Sequence, residues 1–300
     1  MVYYKCKLIE KEDSILLNRQ EAGMESYFSA LNGRVLVAAH RGLAAGNVPC
    51  NSIPGYKAAL RTGVDVIELD VSKSLDGTLY CFHPGMEKRF TGSDKLISQM
   101  YDAEVRKLRL LNMDGAATDE RVPLLRDAFA IMKDRCRVNV DKFWDDIPGI
   151  STLIREMGMN DQVIVKTAPK EEYLSLIRQY ASDMPFMPVL FHDDGIHEML
   201  LKDRSIRYVG AEVIFDSEDN AFCSPEYINM LHRDGCALWV NPIIYDYHWQ
   251  LTAGHSDDIA VSEDEYLGWG WLIDRGYDIL QTDFPLQLKM YIQQHYPLRA

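Results

Sequence analysis

The chain has 300 residues, 47% of them hydrophobic, and its 45 acidic side chains outnumber 32 basic ones, which gives a formal net charge of -13. This size and apolar content are typical of a globular protein with a sizeable core, and the negative charge argues against nucleic acid or an anionic membrane as partner. No run approaches the about 18 apolar residues that a transmembrane segment needs, and the first residues lack the apolar core of a signal peptide. We therefore expect a cytoplasmic protein without a transmembrane segment.

Apolar runs alternate with helical stretches along most of the chain, after a polar segment from Lys11 to Asn32 that we predict to be helical. Strands are predicted at 35–39, 64–72, 137–141, 162–167, 187–191, 208–215, 237–241 and 277–282. Helices are predicted at 53–61, 124–133, 150–157, 170–180, 195–202, 225–234, 263–274 and 286–295.

This alternation predicts an α/β protein, because parallel neighbouring strands need crossover connections of this length. The preferred architecture is a TIM (β/α)8 barrel, and an open doubly wound sheet is the alternative. Against the open sheet, no Gly-rich turn of the dinucleotide-binding kind follows the first strand, although this excludes only that version of the fold.

A small insertion is expected after the second strand. That strand turns back at Asp76-Gly77 and leads to His83, and residues 85–121 then form an irregular, charged stretch with short helical pieces, such as 102–110. We find no internal repeat, low-complexity tract or long linker. Residues 1–300 are therefore predicted to form a single domain that contains the 85–121 insertion.

The second predicted strand, Val64 to Ser72, carries two carboxylates among apolar residues. Because alternate side chains of a strand share a face, Glu68 and Asp70 point to one side and the apolar residues between them to the other. Two buried carboxylates need a cation or protons to compensate their charge, and a divalent cation would do so. The alternative is that both carboxylates lie on a solvated face of the strand, which is common for surface acids.

Polar residues also follow or end the other predicted strands, and in a barrel these ends meet at one mouth. They are His40, Arg41, Glu68, Asp70, His83, Asp141, Lys166, His192, Asp193, Glu212, Asn241 and Asp283. A subset of them would suffice for a metal-assisted acid-base site that acts on an anion. Taken singly, each also has a structural interpretation, such as a core histidine, a strand-end cap or a lysine that extends to solvent.

Five motifs in order along the chain resemble those of the glycerophosphodiester phosphodiesterase family. They are His40-Arg41-Gly42, Pro49-Cys50-Asn51-Ser52, the strand from Gly63 to Val71, His83, and Gln281-Thr282-Asp283-Phe284-Pro285. The matches extend from residue 40 to residue 285, and those in the first half are the more specific.

The resemblance implies a TIM barrel with one divalent cation. Glu68 and Asp70 match the family's paired metal ligands, and Asp141 lies where the family usually has a glutamate. Ligands that offer only oxygen favour Mg²⁺ or Ca²⁺. His40 and His83 match the family's acid-base pair, and imidazole can exchange protons in either direction near neutral pH.

The chain departs from the family pattern at two positions. Cys50 replaces a common glutamate, and Phe143 stands where a lysine usually follows the third carboxylate by two residues. By strand alternation, we expect Lys142 to point away from the lumen and Lys166, on the next strand, to supply the missing cation. The substrate contacts are assigned to Arg41, Lys166, Glu212 and Trp239.

The resemblance implies an enzyme that hydrolyses glycerophosphodiesters, a small-molecule substrate, to glycerol 3-phosphate and an alcohol. One alternative is a phospholipase-D-like lyase that forms a cyclic phosphate, which would require an exposed apolar rim for lipid substrates. The other alternative is a catalytically silent barrel that binds a phosphorylated ligand. Aromatic residues at 245–249 could contact a quaternary ammonium group or simply pack in a loop, and Met86 and Phe90 of the insertion could cap the mouth.

Overall fold

The computed structural model describes residues 27–28, 33–244 and 249–300. In these residues the strands are β1 (Leu36–Ala39), β2 (Val66–Lys73), β3 (Leu79–Cys81), β4 (Arg109–Leu111), β5 (Ala117–Arg121), β6 (Arg137–Asp141), β7 (Val163–Thr167), β8 (Phe186–Leu190), β9 (Gly210–Val213), β10 (Ala237–Val240) and β11 (Ile279–Thr282). The α-helices are α1 (Ile53–Thr62), α2 (Glu87–Thr91), α3 (Asp102–Val105), α4 (Leu125–Met132), α5 (Ile147–Glu156), α6 (Glu171–Tyr180), α7 (Ile196–Lys202), α8 (Pro225–Arg233), α9 (Asp257–Ser262), α10 (Trp271–Arg275) and α11 (Pro285–His295).

The parallel strands form a closed barrel. They pair in the order β1, β2, β6, β7, β8, β9, β10 and β11, and β11 returns to β1 through the register Leu36↔Ile279 to Ala39↔Thr282. The predicted eight-stranded TIM barrel is confirmed. β3 adds to β2 as an antiparallel neighbour, so the chain turns back where the Asp76-Gly77 motif predicted.

Strand alternation sorts the side chains of the barrel wall into two hydrophobic clusters. Val66, Trp239 and Ile279 belong to the cluster that fills the lumen, whereas Ile67 and Leu69 belong to the larger cluster beneath the surrounding helices. Glu68 and Asp70 therefore share the lumen-facing side of β2 with Val66. Both carboxylates are buried, so they do not lie on a solvated face.

The connection from β1 to β2 contains a well-capped helix. Ser52 accepts a hydrogen bond from the Gly55 amide at the start of α1, Pro54 occupies its first turn, and Gly63 ends it in the left-handed conformation at φ 73°. These local signals fix the length of α1 and hence the start of β2. The segment before α1 is thereby held above the carboxylates of that strand.

The 85–121 insertion is more regular than the sequence predicted. It contains α2, α3 and an antiparallel β4–β5 hairpin that the sequence pattern does not predict, and α3 is shorter than the helix expected at 102–110. Ile97, Met100 and Leu110 form a separate hydrophobic cluster with Tyr80 and Phe82 at its base. This small core explains why a charged segment can fold without joining the barrel's own core.

The remaining sequence predictions divide into those that the structure describes and those that it does not. The stretch predicted as one helix at 263–274 is instead a π-helical turn at Tyr266–Gly270 followed directly by α10, and the separate helix α9 precedes it. The helix predicted from Lys11 to Asn32 lies outside the described residues, apart from 27–28. The single-domain partition of residues 1–300 stays a prediction. Among the described residues, no helix has both the length and the apolar content needed to cross a membrane.

Candidate metal and acid-base site

Three carboxylates meet at the carboxyl end of the barrel. Asp70 of β2 and Asp141 of β6 are partners in the parallel register, and Glu68 lies two residues earlier on the same face as Asp70. Glu68, Asp70 and Asp141 each offer an oxygen, and these atoms lie within 4.8 Å of one another. Burial and the neighbouring Asp70 raise the pKa of Glu68 to about 7, which shows the electrostatic cost of bringing these groups together.

Two residues before α1 hold the β2 carboxylates in place. Arg41 adopts the left-handed conformation at φ 56°, so its amide donates to Glu68 Oε2 at 2.9 Å and its Nε lies 2.8 Å from Asp70 Oδ2. Asn51, also left-handed, donates from Nδ2 to the same Asp70 oxygen at 2.8 Å. Asp70 Oδ1 is left as a buried atom with no hydrogen-bond partner.

This donor set fits a hard divalent cation. Its ligands are all carboxylate oxygens, and the orphaned Asp70 Oδ1 is buried where it would otherwise incur a desolvation cost. Glu68 and Asp141 would complete the set of protein ligands. The cluster therefore supports a possible metal site, without distinguishing Mg²⁺ from Ca²⁺.

The two histidines lie beside the cluster and have different partners. His40 follows β1, and its Nδ1 is 2.8 Å from Asp283 Oδ1. Burial alone would lower the pKa of His40, but Asp283 outweighs burial and raises it. His83 Nδ1 is 2.8 Å from the carbonyl of Pro84, and its Nε2 is 3.9 Å from Asp70 Oδ1. Burial lowers the pKa of His83.

Asp283 is positioned in turn by a second carboxylate. Asp257, the first residue of α9, accepts hydrogen bonds from the Asp283 amide at 2.8 Å, Thr282 Oγ1 at 2.8 Å and Trp269 Nε1 at 2.7 Å. Asp257 is buried, so its carboxylate depends on these three donors in place of water. The end of β11 is therefore fixed to α9 at the position where Asp283 reaches His40.

Lys166 lies in a buried polar network in the lumen. Its Nζ is 2.6 Å from Glu212 Oε2, and Glu212 Oε1 accepts a hydrogen bond from Asn241 Nδ2 at 2.7 Å. Asn241 Oδ1 accepts from Trp239 Nε1 at 3.0 Å, and Lys166 Nζ lies 5.2 Å from the centre of the Trp239 ring. Burial opposes the charge of Lys166, but Glu212 and Asp141 outweigh it and raise the pKa of the ammonium group.

The expectation that Lys142 points away from the lumen is wrong. β6 ends at Asp141, and Lys142 then adopts the left-handed conformation at φ 58°, so strand alternation no longer applies to it. Its Nζ lies 2.7 Å from Asp141 Oδ2 and faces the mouth of the barrel. Lys142 therefore provides a cationic side chain next to Asp141, a role that the sequence analysis assigned to Lys166.

A cavity of about 940 Å³ opens from this site. His83, Asp141, Lys142, Lys166 and Glu212 line it on one side. Two of the predicted substrate contacts, Arg41 and Trp239, lie outside its lining: both are buried, and Trp239 has no exposed surface. Contact between substrate and either of these two side chains stays a prediction.

Sequence reasoning gave no role to Asn51 and Asp283, although both stand in the quoted motifs, and it did not consider Asp257. The signal for Asn51 is an Asn two residues after Pro49, because Asn is common in turns and tolerates the left-handed conformation. For Asp257 no local signal exists, because its partners are 12 to 26 residues away in sequence.

Known proteins match the chain in sequence and in fold. A family model described as a domain of unknown function matches residues 186–292. A glycerophosphodiester phosphodiesterase of Caldanaerobacter subterraneus subsp. tengcongensis is 31% identical over 142 residues, which cover 45% of this chain. The chain thus spans only 58% of the length of that relative.

Two solved structures share the barrel. A glycerophosphoryl diester phosphodiesterase from Parabacteroides distasonis superposes with a TM-score of 0.71 at 18% identity and covers 90% of this chain and 92% of its own. An Oleispira antarctica phosphodiesterase, solved with the product sn-glycerol-3-phosphate, has a TM-score of 0.66 at 17% identity and covers 90% of this chain and 100% of its own. These structures support the fold, and the curated homologues confirm the resemblance seen in the motifs. The chain is thus similar to glycerophosphodiester phosphodiesterases in sequence over part of its length and in fold over most of it.

Proposed function

We propose that the protein hydrolyses glycerophosphodiesters to glycerol 3-phosphate and an alcohol, with a divalent cation held by Glu68, Asp70 and Asp141. One observation carries the proposal: three carboxylates converge within 4.8 Å, with an unpartnered oxygen of Asp70 directed to the ring nitrogen of His83. A cation bound there would act as a Lewis acid toward the phosphoryl oxygens.

The hydrogen bonds of the two histidines support different roles for them. The Pro84 carbonyl can only accept, so His83 Nδ1 carries a proton and the Nε2 of the neutral ring is free to act as a base. His40 donates from Nδ1 to the Asp283 carboxylate, which favours its protonated form. We therefore assign His83 as the base that activates the attacking hydroxyl and His40 as the acid that protonates the leaving alcohol.

Lys142 supports binding of the substrate's phosphate. It reaches the cavity from the edge of the cluster with about a fifth of its side chain exposed, whereas Lys166 is almost completely buried against Glu212. An ammonium group at the mouth attracts an anionic phosphodiester in spite of the net charge of the chain. Lys166 and Glu212 then contribute mainly by holding the side chains of the lumen in place beneath the phosphate.

The test is release of glycerol 3-phosphate from glycerophosphocholine. Purified protein is assayed with Mg²⁺, with Ca²⁺ and with excess EDTA, and Asp145→Asn serves as a matched control because Asp145 is acidic and nearby but outside the cluster. We expect turnover with metal, loss with EDTA, and recovery when metal is added back. Turnover that is unchanged in EDTA and in Glu68→Gln would contradict the proposal.

The lyase alternative has support from the cavity mouth, where Phe191 and Trp249 are 53% and 56% exposed. These residues provide the apolar rim that a lyase acting on lipids would need. Attack by a neighbouring hydroxyl of the substrate would give a cyclic phosphate before any linear product. Phosphorus NMR of the first product separates the two reactions. Substrate binding without any turnover would instead identify a silent barrel.

A further inference from the structure

The cavity continues past the charged groups into an apolar lobe. We define this lobe by Phe191, Ile196, Ile214, Ile243, Trp249 and Leu251, which follow β8, β9 and β10. In contrast, the lining residues in or next to the carboxylate cluster, His83, Asp141, Lys142 and Lys166, lie at the ends of β3, β6 and β7. The cluster and the lobe therefore lie at different strand ends around the same mouth, and His192 and Asp194 are the charged or titratable lining residues that share the β8 end with the lobe. A molecule that binds across both would be ionic at one end and apolar at the other.

The wall of the lobe is fixed by backbone hydrogen bonds. The Phe215 amide donates to the Leu251 carbonyl at 3.1 Å, and the Ala253 amide donates to the Phe215 carbonyl at 2.9 Å. These bonds form a parallel bridge between the segment after β9 and the segment after β10. Leu251 and its neighbours are thus held in place beside the cavity, so the lobe is a formed surface and does not depend on the ligand to create it.

The neighbouring aromatic rings do not favour a quaternary ammonium group. Lys142 Nζ lies 5.0 Å from the centre of the Trp144 ring, and Lys170 Nζ lies 5.8 Å from the centre of the Tyr173 ring. All four of these residues line the same cavity. A cationic head group placed over either ring would meet an ammonium group already there, so the cation-π contact would be opposed by like-charge repulsion.

We propose that the apolar lobe holds a single hydrocarbon chain of the phosphodiester substrate. The proposal rests on the proposed function, because it places the phosphate at the carboxylate cluster and the chain beside Phe191 and Trp249. It narrows the substrate class to phosphodiesters that carry one alkyl or acyl chain. The exposed faces of Phe191 and Trp249 give the hydrocarbon chain of the substrate an apolar surface to cover where it enters the cavity.

The test uses the butyl, hexyl and octyl esters of glycerol 3-phosphate, which are phosphodiesters without a quaternary ammonium group, at concentrations below micelle formation. Burial of one methylene contributes about 0.8 kcal/mol, so kcat/KM should rise up to about fourfold per added methylene until the lobe is filled. Phe191→Ser and Trp249→Ser should reduce the octyl-to-butyl ratio of kcat/KM by about tenfold each. Tyr101→Ser is the matched control, because Tyr101 is an aromatic residue with 59% exposure that does not line the cavity, and it should keep the wild-type ratio.

Binding is measured separately so that the two proposals can fail independently. Tighter binding of the octyl than of the butyl probe, lost in Trp249→Ser, would support the lobe assignment even if no probe were hydrolysed. Hydrolysis of glycerophosphocholine together with equal affinity for butyl and octyl probes would overturn the lobe assignment and leave the proposed function intact. An octyl preference that survives in both variants would also overturn it.

Discussion

His40 and Asp283 meet across the seam that closes the barrel. They are 243 residues apart in sequence, yet His40 Nδ1 and Asp283 Oδ1 are 2.8 Å apart because β1 and β11 are parallel neighbours. The His40 amide also donates to the Thr282 carbonyl at 3.1 Å, so the ladder of the sheet continues to the residue before Asp283. The proposed acid is therefore oriented only when the first and last strands have paired.

Asp283→Asn should lower the pKa of His40, because the carboxylate is the group that raises it. If His40 is the acid, it must be protonated, and its pKa sets the alkaline limb of the pH profile of kcat/KM. We expect that limb to move to lower pH while the acidic limb stays in place. The histidine pKa can be followed directly by NMR.

The control is Asp278→Asn, which removes a carboxylate 2.9 Å from His232 Nε2, outside the site. Asp278 raises the pKa of His232, so this variant should lower that pKa and leave both limbs of the activity profile unchanged. A shift of the acidic limb in Asp283→Asn would instead assign His40 as the base.

Lys142→Met and Lys166→Met should separate activity from stability. Lys142 is partly exposed, so its replacement should cost little stability but reduce kcat/KM by about a hundredfold if it binds the developing charge of the phosphate. Lys166→Met leaves Glu212 buried without its cation, and we expect the free energy of unfolding to fall by about 3–5 kcal/mol. Activity and urea unfolding are measured for both variants.

The double variant Lys166→Met with Glu212→Leu tests why Lys166→Met is expected to lose stability. It removes both charges of the buried pair, so it should recover much of the stability that Lys166→Met loses. Lys73→Met, which breaks the partly exposed ion pair with Asp146, is the control and should change stability by less than about 1 kcal/mol. If Lys166→Met unfolds like the wild type, the buried pair does not stabilise the barrel as described.

The sequence predicted the parts of this molecule that repeat or that lie close together in the chain. The alternation of strands and helices predicted the barrel, and the period of two in β2 predicted that Glu68 and Asp70 share a face. It failed at Lys142, because one left-handed residue at the end of β6 turns the side chain into the cavity. Backbone conformation at a single strand end is not visible in hydrophobic periodicity.

Contacts between residues on distant strands of the barrel are the second feature that the sequence could not predict. The link from Asp257 to Asp283 and then to His40 joins the segments before β11, after β11 and after β1. Each residue taken alone is an ordinary polar group near a strand end. Only the closed barrel shows that they act on one another, because their positions depend on the register of strands at opposite ends of the chain.

Removal of metal should change stability as well as activity. A cation that binds only the folded state stabilises it by about 2.7 kcal/mol at a hundred times its dissociation constant. We expect Mg²⁺ or Ca²⁺ to raise the melting temperature of the wild type, and Asp70→Asn and Asp141→Asn to abolish the increase. Asp145→Asn should retain it. An increase of equal size in all variants would place the bound cation elsewhere.

Asp257→Asn should destabilise the protein although the substitution conserves shape. The carboxylate of Asp257 accepts from Trp269, Thr282 and the Asp283 amide, and an asparagine presents an amino group to at least one of these donors. A buried donor left unsatisfied costs about 1–3 kcal/mol, which urea unfolding can measure. Asp258→Asn, at the next position of α9 but exposed, should be neutral. Because the Asp283 amide is among the affected donors, Asp257→Asn should also move the alkaline limb in the direction expected for Asp283→Asn. A loss of stability without that shift would separate the packing role of Asp257 from the orientation of His40.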